Sequence, residues 1–188
     1  MNRRMLVLMI LLAGLCAAPL TAHAATGPAS AYKVTITQFE MYNGTSWVTI
    51  SSGNSTTIDI ASVNAGSVAG TFFSGLSVPD GTYTQVRVTI SGTFTISGRV
   101  GSSYTTATIS NNLCAVTTNS AAEVECTVSV TLPAPNPDTL PTPLTVTNGV
   151  PSHKVRVTFN VDNALNNGGP LGEIYPGTPT VTMAMIAL

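Results

Sequence analysis

Charge is scarce in this sequence. Its 188 residues hold 7 Lys and Arg against 8 Asp and Glu, a formal net charge of −1. Nucleic-acid binding needs a basic stripe, and anionic lipid needs a polybasic cluster. Neither is present, so both partners are excluded. Acid–base chemistry is short of candidates for the same reason. Histidine is nearly missing: after His23 there is only His153. A Ser-His-Asp arrangement would have to use His153, with Ser152 and Lys154 as its neighbours, and no G-x-S-x-G elbow accompanies it. A zinc site needs further Cys or His ligands that are lacking. No catalytic residue, cofactor site or metal site is assigned, and the chain is read as non-enzymatic.

Long apolar runs are also lacking, with one exception. After Arg3 and Arg4 comes MLVLMILLAGLCAAPL, which ends at Ala22-His23-Ala24. A membrane span needs about 20 apolar residues. This run is shorter and closes on the small-x-small pattern of a signal-peptidase site, so 1–24 is read as a cleaved Sec-type signal peptide. Leu15 before Cys16 does not suit a lipobox, whose cysteine follows a small residue. The expected location is secreted, periplasmic or cell-surface, with no membrane attachment after the leader is removed. Without Arg3 and Arg4, five basic residues face eight acidic ones.

Cysteine is sparse too. Cys114 and Cys126 alone remain past the leader. An even number in an exported chain is most simply a disulfide. Thr118-Asn119-Ser120 between them is turn-like, and a hairpin or loop there brings the sulfurs together. A redox or metal pair would want C-x-x-C spacing or a nearby histidine.

What the chain has in abundance is Thr, Val and Ile at a period of two. YKVTITQFEMY, SWVTI, EVECTVSVTL, HKVRVTFNVD and PTVTMAMIAL are such runs, separated by Gly, Asn, Ser and Pro. TQVRVTISGTFTISGRV reads as one long strand or as a hairpin broken at Ser91-Gly92. No helical stripe is sustained; one helical turn is expected near 61–68. The fold class is all-β, an antiparallel β-sandwich of one domain over 25–188. Expected core or near-core residues are Trp47, Tyr83, Val86, Val88, Ile90, Phe94, Val155, Val157 and Phe159. YTQVRVTI and SHKVRVTF are alike, as two strands of one sheet with Arg87 and Arg156 facing solvent.

Two stretches read as loops. Residues 132–143 place prolines at Pro133, Pro135, Pro137, Pro141 and Pro143, an extended surface connection. Residues 163–179 are rich in Asn, Gly and Pro. Long loops on a rigid sheet are where binding usually sits. Asn160, Asp162, Asn163 and Asn166 cluster oxygens there, but one carboxylate falls short of a calcium loop.

The stretch LSVPDGTYTQVRV joins a Pro79-Asp80-Gly81 corner to an alternating strand. It resembles the turn-strand corner of prealbumin-like (transthyretin-like) sandwich modules, which include carboxypeptidase-regulatory and collagen-adhesin B-type repeats. The order KVTITQFEMY, GTSWVTI, IDIASV, LSVPDGTYTQVRVTI resembles an exported bacterial domain family of unknown function. The resemblance implies a prealbumin-like or immunoglobulin-like sandwich and no reaction. In collagen-adhesin-like modules a Lys–Asn crosslink occurs; here it would have to join Lys33 to Asn160 with Glu40 or Asp59 as the acid, and Lys33 is read instead as a surface lysine beginning a strand.

The expected function is a structural or adhesive module. In PTVTMAMIAL, Val181, Met183 and Met185 fall on one face and Ala184, Ile186 and Leu188 on the other. A strand apolar on both faces is either central in its own sandwich or donated to a neighbour, a route to self-assembly or a surface partner. The alternative function is a carbohydrate- or small-ligand-binding module using 163–179.

Overall fold

A computed structural model describes residues 25–62, 76–110, 113–168 and 171–188. The leader with Cys16, and the 63–68 part of the expected helical turn, lie outside them. Sixteen strands form among the described residues. The chain opens with β1 (Thr26–Gly27), β2 (Ala29–Val34), β3 (Ile36–Tyr42), β4 (Trp47–Ser52) and β5 (Ile58–Asp59). Next come β6 (Gly81–Ile90), β7 (Thr93–Val100), β8 (Ser103–Ser110), β9 (Leu113–Thr117) and β10 (Cys126–Ser129). The last are β11 (Asp138–Thr147), β12 (Val150–Pro151), β13 (His153–Asn160), β14 (Leu165–Gly168), β15 (Glu173–Pro176) and β16 (Thr180–Ala187).

Every ladder among them is antiparallel. A nine-stranded sheet runs β1-β14-β15-β9-β8-β7-β2-β5, with β10 also on β7. A five-stranded sheet runs β12-β11-β6-β3-β4, and β13 with β16 makes a separate two-stranded ribbon. The two large sheets curl as half-barrels in a sandwich-like arrangement.

Each large sheet has its own core. Tyr32, Phe94, Ile96, Val128, Leu165 and Ile174 centre the first. Met41, Tyr83, Val86, Leu140, Leu144 and Val146 make the second. The period-two pattern selects them: in β10, Cys126 and Val128 point in while Thr127 and Ser129 point out. The ribbon covers both. Val155, Met183 and Met185 pack on the second core, and Phe159 on the first.

The chain changes sheets at Ser91-Gly92. This break makes no hairpin: β6 ends in the five-stranded sheet and β7 begins in the other. Gly92 is needed there because a Cβ would lie 2.4 Å from the Val130 carbonyl oxygen. The two similar segments part for the same reason. YTQVRVTI is β6, while SHKVRVTF lies in β13 of the ribbon, so they are not strands of one sheet.

Both expected loops contain strands. Pro141 and Pro143 lie inside β11, where the ladder with β6 shifts between Thr139 and Leu144. A proline cannot donate to a ladder, and the irregularity removes the demand. Residues 163–179 supply β14 and β15 because Ala164, Leu165 and Ile174 are fully buried in the first core. Among the expected core residues, Val157 is 44 % exposed, since it sits on the ribbon between the two cores. Trp47 and Val88 also stay out of both cores: Val88 is half-buried on the inner face of β6, and Trp47 lies half-buried on the outer face of the five-stranded sheet.

Cys114 and Cys126 are joined by a disulfide across the first core. Both are buried, at 0 % and 2 % exposure. Their strands do not pair with each other; β9 pairs with β8 and β10 with β7. A 3-10 turn at Ser120–Ala122, capped by Asn119 accepting from the Ala121 N–H, turns the chain between them. Closing so short a loop stabilises by about 3 kcal/mol through the unfolded chain. Reduction is therefore expected to lower the denaturation midpoint. Intact mass after alkylation, without reductant, should show no free thiol; two alkylated cysteines in native protein would contradict the bond.

Candidate functional site

The Pro79-Asp80-Gly81 corner is a structural clamp. The Asp80 carboxylate accepts from the backbone N–H groups of Asn148 and Gly149, both at 2.8 Å. Those residues form the turn between β11 and β12, with left-handed φ of 53° and 74°. Asn-Gly is the favoured pair for such a two-residue hairpin, a signal the sequence carries at Asn148-Gly149. The Tyr83 hydroxyl donates back to the Pro79 carbonyl at 2.8 Å, and its ring is 1 % exposed. Burial, then the Asp80 charge, pushes the Tyr83 phenol up. The bond from Gly149, then that from Asn148, holds the Asp80 carboxyl below the usual range.

The other flagged side chains are similarly engaged. Lys33 pairs with Glu125 at 2.6 Å rather than approaching Asn160, whose side-chain oxygen accepts from the Asp162 N–H. Asp59 accepts from the Tyr32 and Ala61 N–H groups. Asn163 accepts from the Thr26 hydroxyl, so two of the clustered oxygens of the C-terminal region, those of Asn160 and Asn163, serve the fold. Among the described residues no three of His, Cys, Asp and Glu gather as a metal-binding group. His153 Nδ1 lies 3.0 Å from Ser152 Oγ, which itself accepts from the Thr145 N–H.

Arg87 lies on the outward face but is engaged there. Arg156 is exposed, but Arg87 donates through Nε to Glu40 at 2.7 Å, and its guanidinium lies 4.4 Å from the centre of the Trp47 ring. Tyr42 sits beside Trp47, ring centres 5.3 Å apart. Strand register explains the grouping. Trp47, Tyr42 and Gln85 are directly opposite one another across β4, β3 and β6, and Thr139 of β11 extends that row. Thr49, Glu40 and Arg87 form the next row, and Ser52, Gln38 and Thr89 the third. Directly opposed residues share a face. The reverse face carries Met41, Val86 and Val48 into or against the second core. Glu40 is only 7 % exposed, held by the arginine it faces. Arg87 is far in sequence from Glu40, Tyr42 and Trp47, and only the register of β3 makes them a set.

A family model described as a domain of unknown function (DUF4382) matches residues 24–172. The chain belongs to this family. No curated protein and no solved structure matches it. The match runs from the start of the described chain through β14, and so includes the five-stranded sheet, the clamp and the disulfide.

The clamp gives a pH prediction. Asp80 has a lowered pKa when folded, so its contribution is present above the ordinary value of 3.8 and fades as pH falls through the folded value. Asp80→Ala should therefore melt well below the parent at pH 6. The gap should narrow as pH drops below 3.8. Thermal melts followed by circular dichroism test this; a gap of constant size across that range would be evidence against the clamp.

Proposed function

We propose that this chain is an exported, non-catalytic β-sandwich module of prealbumin-like type, with a structural or adhesive role. One observation carries the reading: the polar side chains singled out by the sequence are largely engaged within the fold. Asp80 holds a hairpin, Asp59 a turn, Lys33 an exposed ion pair, and Ser152 a neighbouring strand. A general acid or base must instead be free to reach substrate. The leader pattern ending in Ala22-His23-Ala24 supports export. The disulfide suits an oxidising compartment.

Assembly through the C-terminal strand takes a defined form in this reading. β16 pairs with β13 over eight residues, His153 opposite Ala187 through Asn160 opposite Thr180. A neighbouring copy would accept the strand by repeating those pairs, as in domain swapping. Two measurements test the proposal. Ester, peptide and glycoside substrates should show no turnover; turnover that disappears in His153→Ala would overturn the non-catalytic reading. Intact protein should form concentration-dependent oligomers in size-exclusion chromatography and electron microscopy. A monomer at every concentration would assign β16 to its own chain and end the exchange model.

A further inference from the structure

The outer face of the five-stranded sheet joins two aromatic rings, a guanidinium and a field of amides and hydroxyls. Trp47 and Tyr42 lie at its β4 side, and Arg87 touches the Trp47 ring. Around them stand Gln38, Gln85, Thr49 and Thr139. Among the described residues Arg87 spends only Nε on Glu40, so its outer N–H groups carry no protein partner. Trp47 is half-buried rather than enclosed.

We infer that this face binds a neutral saccharide, which deepens the surface-module reading and rests on it. A pyranose is apolar on its C–H face and polar at its rim. Its C–H groups, slightly positive, suit the negative face of an aromatic ring. Its neighbouring hydroxyls match a forked donor such as guanidinium, with an amide beside it to accept and donate. Neighbouring strands place these groups about 5 Å apart, on the scale of one sugar ring. Charge selects the class. Glu40 neutralises Arg87, so the face offers donors without a net positive field to favour an acidic sugar. The surroundings also favour sugar over protein. A protein hot spot is a desolvated apolar centre, whereas here the rings are flanked by Gln and Thr. A sheet face is rigid before binding, which spares the ligand an ordering cost.

The test titrates the exported chain with cellohexaose, maltohexaose and mannohexaose, and with acidic hexagalacturonate. Trp47 is the only tryptophan, so its emission reports on the site directly. A saturable change with at least one neutral hexasaccharide is expected. Calorimetry should then show at least tenfold weaker binding in Trp47→Ala and a smaller loss in Trp47→Phe. Arg87→Ala strands the buried Glu40 and can cost folding, so Gln85→Ala is measured beside it; it should fold normally and bind severalfold more weakly. The absence of any saturable response to the neutral probes overturns the inference and leaves the face to a protein partner. So does preference for hexagalacturonate, or affinity unchanged in both Trp47→Ala and Gln85→Ala. If no sugar binds and no substrate turns over, this inference falls and the non-catalytic reading stands. If a bound sugar is cleaved, the non-catalytic reading falls and the saccharide site stands.

Discussion

The close approach of Gly92 to Val130 fixes one of the crossings by which a single chain serves two sheets. The Gly92 carbonyl accepts from the Val130 N–H at 2.8 Å, and the Val130 carbonyl fills the space where a side chain would project from Gly92. At that point the backbone leaves β6 and enters β7. Apolar residues before the crossing, such as Tyr83 and Val86, fall to one core; Phe94 and Ile96 after it fall to the other. A strand's inward face is set by its register, so the position of the crossing decides which core each side chain joins. Ile90, just before it, already packs against the first core.

Two small cores need to be held together, and the β13–β16 ribbon does this. One of its faces meets both: Val155, Met183 and Met185 at one end, Phe159 at the other. Val157 and Val181, between or beyond those contacts, stay 44 % and 48 % exposed. The apolar character of the C-terminal strand thus has a use within the chain. Its other face is mixed: Arg156 stands opposite Ala184 and Lys154 opposite Ile186.

Scarcity of charge shapes the polar interactions. Few ionisable groups are available, and two of them, Asp59 and Asp80, tie distant parts of the backbone. Asp80 joins a corner to a hairpin 68 residues later in sequence. Hydroxyls supply much of the rest: Thr95 with Thr127 and Thr93 with Ser129 bridge neighbouring strands on an open face. Such pairs keep sheet faces soluble without fixed charge. The Arg87–Glu40 pair differs from the exposed Lys33–Glu125 pair, because one partner is buried and the other lies against an aromatic ring.

The sequence by itself determined the class of the fold. Period-two runs of Thr, Val and Ile dictate strands, since alternate residues must face opposite sides, and the pairing of Cys114 with Cys126 was the simplest reading of the two cysteines beyond the N-terminal apolar run. The corner at Pro79-Asp80-Gly81 was legible as a turn, and Tyr83 as a packing residue. Only the tertiary structure decided what lay opposite what. That Asp80 meets Asn148, that residues 163–179 fold back as strands, and that Trp47 leaves the core all depend on partners far along the chain. So does the grouping of Trp47, Tyr42, Arg87 and Glu40. Local pattern fixes which residues share a face of one strand; register between strands, set by burial and by where the chain crosses, fixes which of them meet.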